Sequence, residues 1–314
     1  MAVNRVLYAT QRCDLYSYTQ GANGYILPVQ TASADETIPQ DDVLVLGKLG
    51  GVARLQKDVA SSKASIKAYI CQNVIDNGGD QHVEVNNLGA MLEVFIADAA
   101  SGNAGTIRVD SSGAGNANDG FHFEGTLSSI GIDASKGAFP MIDLGFDGVG
   151  RLRALNMGTT STLPGSNAGG VGYITSAVPA TSEHVNCTGS SGDTVASIKF
   201  SYDMPTETLS ALGSTIQGAS HNVSAGNKVF SKPPFKASIT ADGQDMNLVD
   251  DAWKNAVAGG VQMWITDVGP SASNAFNAVI SSAVNVSTRS FSQNVGDIGA
   301  TYSVTAEGTL ASFN

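Results

Sequence analysis

The tetrapeptide Lys-Ala-Ser-Ile occurs twice in this chain of 314 residues, at positions 63–66 and again at 236–239. The segments that follow each copy keep the same order, which indicates that one structural unit has been duplicated. Three further matches extend the repeat, and they join residues 95–98 with 264–267, 130–132 with 284–286, and 143–148 with 303–308. The chain is long enough for each unit to bury a core of its own. The repeat therefore predicts two similar domains.

The boundary between the domains is expected in a stretch with little hydrophobic pattern. Residues 151–194 are rich in Gly, Ser, Thr and Pro, a composition typical of loops and linkers. We expect a first domain over residues 1–155, a linker over 156–172 and a second domain over 173–314.

Alternation of apolar and polar residues predicts β-strands in many segments. It is clearest in residues 66–70, 284–288 and 302–306, and turn-rich stretches separate such segments. Charged residues make up only 14% of the chain and Gly reaches 36, as in all-β proteins held by packing and backbone pairing. One amphipathic helix is predicted over 247–258, with a weaker counterpart around 82–91 in the first copy. The predicted fold class is mainly β.

A long segment precedes the Lys-Ala-Ser-Ile strand in each copy. Residues 48–62 and 214–235 both follow a Leu-Gly pair, and a long hairpin arm fits each of them. The entropy lost in ordering such an arm is compensated mainly when another surface packs against it, and the alternative is an ordinary loop. The candidate contact residues of the arms are Lys48, Arg54, Lys57, Asn222, Lys228 and Phe230.

The formal net charge is −11, and no cluster of Lys and Arg interrupts the acidic balance. Tight nucleic-acid binding needs clustered cations, so it is not expected. The chain shows neither the apolar core of a signal peptide nor the roughly 20 apolar residues of a membrane span, so we expect it to stay inside the cell that makes it. Cys13, Cys71 and Cys187 are widely spaced, which predicts buried thiols in a reducing compartment.

Catalytic motifs are missing from the sequence. It contains no HExxH, GxSxG, GxxxxGK(S/T) or CxxC pattern. His122 and Glu124 alternate with Phe121 and Phe123 and can be drawn as an acid–base pair, but a polar strand face beside a buried aromatic face explains them more simply. We expect no enzymatic activity, no cofactor and no metal site.

Residues 287–309 form a polar, Gly-punctuated segment that ends in an alternating strand and a Gly. This segment resembles the terminal strand pair of bacteriophage tail tube proteins, in which a polar hairpin leads into the strand that closes the domain. The first copy keeps a reduced form over residues 130–148, without the Phe-Ser-Gln stretch. The similarity also covers element order and hairpin style over most of both copies.

The resemblance implies two β-sandwich or barrel domains, each with a flanking helix, assembled into a ring-closed β-barrel tube. A doubled chain is expected to form a trimeric, pseudo-hexameric ring, whereas a hexameric ring is the arrangement of single-domain relatives. Edge-to-edge closure is physically favourable because it removes the open edges of the sheets. The strands expected in the tube wall carry Ile130, Ile132, Val284, Val286, Tyr302 and Val304.

The same resemblance implies a place in the virion tail, after synthesis in the host cytoplasm. The rings would stack to form the conduit for DNA ejection, with the arms of each ring docked on the next. The expected partners are further copies of the chain, the tape measure protein and the tail terminator and initiator proteins. DNA is expected to pass without specific binding, because acidic or neutral channel residues make no phosphate contacts.

Other interpretations of this composition are a different virion structural protein and a duplicated glycan-binding β-sandwich. A baseplate or decoration subunit would share the resemblance without polymerising. A glycan-binding module needs exposed aromatic platforms, whereas Trp253 and Trp264 lie in apolar stripes that predict core packing. A hydrolase without familiar motifs has the least support.

Overall fold

The computed structural model of the chain describes residues 11–18, 24–27, 29–56, 60–70, 74–76, 83–85, 88–111, 121–135, 138–149, 153–154, 185–188, 195–209, 228–244, 260–266, 274–280, 285–293 and 300–313. These residues are mainly β, with one α-helix among them. The predicted fold class is confirmed at this level.

The strands before residue 160 are β1 (Gln11–Tyr16), β2 (Gly24–Ile26), β3 (Val29–Thr37), β4 (Gln40–Leu44), β5 (Gly51–Gln56), β6 (Ser61–Tyr69), β7 (Val74–Asp76), β8 (Val83–Val85), β9 (Gly105–Ser111), β10 (Phe121–Ser135), β11 (Met141–Val149) and β12 (Arg153–Ala154). The later strands are β13 (Val185–Cys187), β14 (Val195–Asp203), β15 (Thr206–Leu209), β16 (Lys228–Ser231), β17 (Lys236–Gly243), β18 (Val261–Thr266), β19 (Asn274–Ile280), β20 (Asn285–Ser292), β21 (Thr301–Gly308) and β22 (Leu310–Phe313). The helix, α1, spans Leu88–Ala100.

Eight strands form a central antiparallel sheet in the spatial order β20-β21-β17-β14-β10-β11-β6-β3. Successive side chains of a strand point to opposite faces, so alternation gives the sheet one apolar and one polar face. In β6, for example, Ala64, Ile66 and Ala68 are buried, whereas Lys63 and Lys67 are exposed. We call the second surface the polar face.

Strand β10 is long enough to belong to two sheets. Residues 121–125 pair with β9, and residues 126–135 pair with β11 and β14. A register shift between Leu127 and Ser129 follows the change of sheet. The second sheet continues from β9 through β1, β2 and β7 to β8, and a third sheet has the order β13-β18-β19-β22. The hairpins β4–β5 and β15–β16 pair only within themselves.

The apolar face of the central sheet is part of one continuous hydrophobic core that includes both halves of the chain. Helix α1 contributes the buried residues Leu88, Met91, Leu92, Phe95 and Ala99, which share one side of the helix. The ring of Phe95 packs edge-on against Phe146 of β11, with centroids 6.1 Å apart. In the second half, Phe313 packs edge-on against Phe200 at 5.6 Å.

The C-terminal end of α1 is set by a left-handed residue. Gly102 has a φ of 72°, a conformation that glycine adopts without steric penalty. The amides of Gly102 and Asn103 donate hydrogen bonds to the carbonyl oxygens of Ala99 (3.0 Å) and Asp98 (2.9 Å). These bonds satisfy carbonyls that the end of a helix leaves without intrahelical partners.

The prediction of a weak helix around residues 82–91 is wrong in its bounds. Val83–Val85 forms strand β8, and the helix spans Leu88–Ala100. The alternating β-branched residues Val83 and Val85 favour a strand, whereas the helical spacing of apolar residues begins only at Leu88.

The match of residues 95–98 with 264–267 is also wrong. Residues 95–98 lie inside α1, whereas 264–266 lie inside β18. Both segments are short apolar runs, which do not distinguish a buried helix from a buried strand.

The predicted linker over 156–172 and the predicted helix over 247–258 lie outside the described residues. Among the strands that are described, no sheet closes into a barrel. The central sheet is open, with β3 and β20 as its two edge strands. The domain boundaries at residues 155 and 173 stay a prediction.

Candidate functional site

Strand β20 forms one edge of the central sheet and presents an exposed aromatic ring there. It pairs with β21 on one side, and no described strand pairs with its other side. The side chain of Phe291 is 67% exposed although its ring stacks on Tyr302, with centroids 6.2 Å apart and planes 29° apart. Exposed edges of this kind pair readily with another chain.

An open pocket of about 370 Å³ lies at the β20 edge and is lined by Arg289, Ser290, Phe291 and Tyr302. Arg289 is directly opposite Val304, which is fully buried. Arg289 and Phe291 are two positions apart on the strand, so both side chains belong to the apolar side of the sheet. The apolar face therefore extends to the sheet edge and stops there without a covering strand among the described residues.

Strand β3 forms the opposite edge and is lined with small side chains. It pairs with β6 on one side, and its other side has no partner among the described strands. Ala32 and Ala34 are half-buried and opposite Ile66 and Ala64 of the core. The side chains at the two edges thus differ in size, because β20 carries an arginine and a phenylalanine on the face where β3 carries two alanines.

The pairing of β10 with β14 joins the two halves of the chain, and we call it the internal seam. Ile130 is opposite Tyr202 and Ile132 is opposite Phe200, and all four side chains are buried. The ring of Tyr202 also meets Phe235 edge-on at 6.2 Å. Burial raises the pKa of the Tyr202 hydroxyl above its ordinary value of 10.0, because desolvation disfavours the phenolate.

Hydroxyl groups meet across neighbouring strands on the polar face. The side-chain oxygens are 3.0 Å apart for Ser33 and Ser65, 2.8 Å for Ser201 and Ser238, and 2.9 Å for Thr240 and Thr305. Such pairs stabilise sheets modestly and leave the surface hydrophilic.

Charges on the polar face alternate in sign between neighbouring strands. Each lysine of the described central sheet has an aspartate opposite it, in the pairs Lys63 with Asp35 and Asp147, Lys67 with Asp143, Lys199 with Asp133, and Lys236 with Asp203. Lys63 Nζ lies 3.9 Å from Asp147 Oδ1. The face therefore offers no continuous cationic track for a polyanion.

The hairpin β15–β16 of the second half packs onto the first half. Thr206 Oγ1 donates a hydrogen bond of 2.6 Å to Asp147 Oδ2, and Thr126 Oγ1 donates one of 3.3 Å to the carbonyl oxygen of Val229. Phe230 covers the end of α1, because a Cβ placed on Gly102 would lie 2.6 Å from its ring.

The hairpin β4–β5 of the first half has an exposed surface, in contrast to β15–β16. Arg54 Nε donates to Asp42 Oδ1 at 2.8 Å across its two strands. Leu55 is 59% exposed, and Leu49, between the strands, is fully exposed. An exposed apolar hairpin is typical of a surface that another chain covers.

The structure distributes the predicted arm residues over these two hairpins. Lys48 lies between β4 and β5, Arg54 lies in β5, and Lys228 and Phe230 lie in β16. Lys57 and Asn222 lie outside the described residues. Their predicted contact with a neighbouring ring stays a prediction.

The predicted tube-wall residues lie mostly on the core side of the central sheet. Ile130 and Ile132 of β10 and Val304 of β21 are buried, and Tyr302 is half-buried. Val286 lies in β20, and Val284 lies outside the described residues. Sequence reasoning missed Arg289 and Phe291 as edge residues, although an aromatic residue in an otherwise polar strand is a usable signal.

The residues drawn as an acid–base pair in the sequence are only partly described. Phe123 is buried and Glu124 exposed, on opposite sides of β10. The side chain of His122 is outside the described set. Within the described ranges, no three His, Cys, Asp or Glu side chains are grouped closely enough to hold a metal ion. No helix in the described part of the chain has the length and apolarity to cross a membrane.

Comparison with known proteins identifies no family for this chain: no protein-family model matches it, and no curated protein is similar to it.

Proposed function

We propose that this protein is a structural subunit of a phage tail tube, which joins edge to edge with further copies of itself into rings that stack around a channel. The strand order of the central sheet carries the proposal. Strands of the first half follow the order β3-β6-β11-β10, and strands of the second half follow β14-β17-β21-β20. This order supports one four-strand unit repeated head to tail across the internal seam.

The pairings outside the central sheet repeat as well. In the first half, β9 pairs with β1 and β10, and β10 also pairs with β12. In the second half, β18 pairs in the same way with β13 and β19, and β19 also pairs with β22. Each half also has its hairpin, β4–β5 or β15–β16, between the corresponding strands of its unit. This correspondence supports two sandwich-like modules over residues 1–155 and 173–314, with α1 as the flanking helix of the first.

Individual side chains support the same correspondence. The serines of the two Lys-Ala-Ser-Ile segments, Ser65 and Ser238, share hydrogen bonds with Ser33 and Ser201 on the adjacent strands. The register shift that precedes Ser129 in β10 has a counterpart before Thr288 in β20. These features support the match of residues 143–148 with 303–308.

The pairings also revise one sequence match and limit the symmetry. Ile130 is opposite Leu144 as Arg289 is opposite Val304, so residues 130–132 correspond to 289–291 rather than to 284–286. The modules are similar rather than identical. In the first module Lys63 is opposite Asp147, whereas the corresponding pair in the second module is Ser238 opposite Glu307.

A head-to-tail repeat leaves the two ends of the central sheet with different edge strands. The β20 edge is the counterpart of β10, and the β3 edge is the counterpart of β14. Further copies can therefore join in the way that the modules already do, which gives a closed ring or an open helix. Closure removes the exposed edges, and three chains supply the modules of a pseudo-hexameric ring.

The polar face supports a role as the inner wall of the tube. It carries hydroxyl groups and lysines with aspartates opposite them, so the duplex of the genome would pass without sustained phosphate contacts. The proposal places the protein in the virion tail, with the tape measure protein inside the tube and the terminator and initiator proteins at its ends.

Negative-stain electron microscopy of the purified protein, together with light scattering, tests the proposal. We expect rings or hollow tubes that form in a concentration-dependent manner. Monomers at every concentration, including after addition of a tail initiator complex, would refute it. Discrete assemblies that never polymerise would favour a baseplate or decoration subunit, and a monomer that binds a glycan array would favour the glycan-binding interpretation.

A further inference from the structure

We propose that β20 of one copy pairs antiparallel with β3 of the next in the register of the internal seam, with Ser290 opposite Asp35 and Phe291 opposite Ala34. The inference rests on the proposed self-assembly and specifies the residues that make the contact. Its occupant is a second copy of this chain, because the chain already contains the same joint between its own modules.

The register follows from two correspondences. Ile130 is opposite Leu144 of β11, and Arg289 is opposite Val304 of β21. Leu144 and Val304 are matched residues of the repeat, so Arg289 is the counterpart of Ile130.

The pairings displace the two Lys-Ala-Ser-Ile segments by two positions in this alignment, because Leu144 is opposite Ile66 whereas Val304 is opposite Ala241. On the next strand Ala32 is opposite Ile66 and Ile198 is opposite Ala241, so Tyr202 is the counterpart of Glu36.

Transferring the pair Ile130–Tyr202 of the internal seam therefore gives Arg289 opposite Glu36. Counting along the antiparallel strands then gives Ser290 opposite Asp35 and Phe291 opposite Ala34.

Side-chain size supports this register. Two core-side pairs of the internal seam join an isoleucine to an aromatic residue, Ile130 to Tyr202 and Ile132 to Phe200. Between copies, Phe291 would lie opposite Ala34, and Arg289 would lie opposite Glu36, which carries the opposite charge. The large ring thus meets a small side chain and the two charges pair, so the space between the strands is filled without overlap.

The exposed surface at the β20 edge has the position that this pairing requires. The open pocket of about 370 Å³ beside Phe291 lies where the next strand would approach. Ala34 would cover the aromatic ring, and Ser33 and Asp35 would extend the polar face. Burial of an exposed aromatic ring at the centre of a contact is typical of the residues that contribute most to association.

The hairpin β4–β5 extends the same interface. Leu55 faces Asp41 in this hairpin as Phe230 faces Glu207 in β15–β16, so Leu55 is the counterpart of Phe230. Phe230 covers the first module of its own chain. The next copy's Leu55 would accordingly cover the second module, as a lateral clasp within the ring.

Disulfide trapping tests the register. In the full-length variant Ser290→Cys/Asp35→Cys, mild oxidation is expected to link neighbouring copies, because opposite residues of antiparallel strands lie within disulfide distance. A ladder that stops at the trimer is expected for a three-chain ring. The shifted pairs Ser290→Cys/Ser33→Cys and Ser290→Cys/Thr37→Cys place the sulfurs too far apart and are expected to give little product.

Two controls complete the experiment. Gly131→Cys/Ser201→Cys forms the equivalent pair across the internal seam, where a Cβ on Gly131 meets only atoms at ordinary distance, and should close within one chain without a ladder. The single variants report linkage through the native cysteines.

Electron microscopy of the same samples separates the two proposals. Assemblies that are linked only in a shifted pair, or in none, would overturn the register and leave the tube proposal standing. The absence of both assemblies and linkage would overturn both.

Discussion

The backbone amide of Phe313 donates a hydrogen bond of 3.1 Å to Oε1 of Glu93, which joins the last strand of the chain to helix α1. The helix belongs to the first half and β22 to the second. The two halves are thus connected by this contact as well as by the internal seam and the hairpin β15–β16. Unfolding of the two halves should consequently be coupled.

Replacement of Phe313 by Ala is expected to lower the free energy of unfolding by about 3–5 kcal/mol. Phe313 is only 2% exposed, and its ring meets Phe200 at 5.6 Å and Phe276 at 5.4 Å. Urea unfolding followed by circular dichroism measures the change. The control Tyr18→Ala removes an aromatic ring that is 66% exposed and should change stability by less than about 0.5 kcal/mol. Equal effects of the two variants would contradict the packing of β22.

Glu93→Ala should lower the free energy of unfolding by about 1 kcal/mol, since it removes the acceptor of the Phe313 amide. Glu93→Gln keeps a side-chain oxygen and should lose less. The same urea titration distinguishes them. An alanine variant as stable as the parent would show that water replaces the carboxylate as acceptor of this hydrogen bond without loss of stability.

The stability of the protein should fall as the pH rises through 10, partly because of Tyr202. The folded state raises the pKa of this hydroxyl by burial, so the unfolded chain releases the proton first. The contribution of Tyr202 is complete below pH 10 and is lost as the pH approaches its folded pKa. Tyr202→Phe should flatten the decline in unfolding titrations between about pH 9 and 11. An unchanged slope would show that other groups cause it.

Phe291→Asp should prevent assembly while leaving the fold intact. The exposed ring contributes little to the stability of one chain, but a charge at the β20 edge would be desolvated in the contact between copies. A loss of at least about 2 kcal/mol raises the concentration needed for assembly roughly 30-fold, which light scattering measures. The matched control is Phe139→Asp, which alters an exposed phenylalanine away from this edge. Similar effects of both would argue against an edge contact.

The hairpin β4–β5 can be tested by two leucines with different expected roles. Leu55→Asp should impair ring formation, because its counterpart Phe230 packs on the adjacent module. Leu49→Asp, between the strands of the hairpin, should leave rings intact and reduce their stacking if the arm also reaches the next ring. Electron microscopy scores both. Stacked tubes formed normally by Leu55→Asp would contradict the lateral clasp.

Strands with strict alternation could be predicted well from sequence. The buried and exposed residues of β6 follow the alternation that residues 66–70 display, because each side of this strand meets a single environment. Segments buried on all sides were harder to predict, as the incorrect match of residues 95–98 with 264–267 illustrates. Periodicity is weak there, and contacts distant in sequence decide between helix and strand.

The sheet edges could not be predicted from local pattern. The position of β20 at an edge depends on which strands pair across the whole chain, and the aromatic residue in its otherwise polar sequence does not specify which neighbours it has. Phe291 was part of the segment that carried the family resemblance, yet its exposure follows only from the absence of a described strand beside it. The sequence suggests the proposed repeat, whereas the joint between the two halves required the pairing of β10 with β14.

The internal seam has a kinetic consequence for a ring of the proposed kind. A tether between modules replaces a bimolecular encounter by an intramolecular one, at an effective concentration that reaches the millimolar range for short flexible connections. Half of the joints in such a ring would then be formed before any two chains collide. Nucleation would depend on fewer diffusive events than in a ring of separate modules, and the unsatisfied edges of partial rings would be exposed to misassembly for a shorter time.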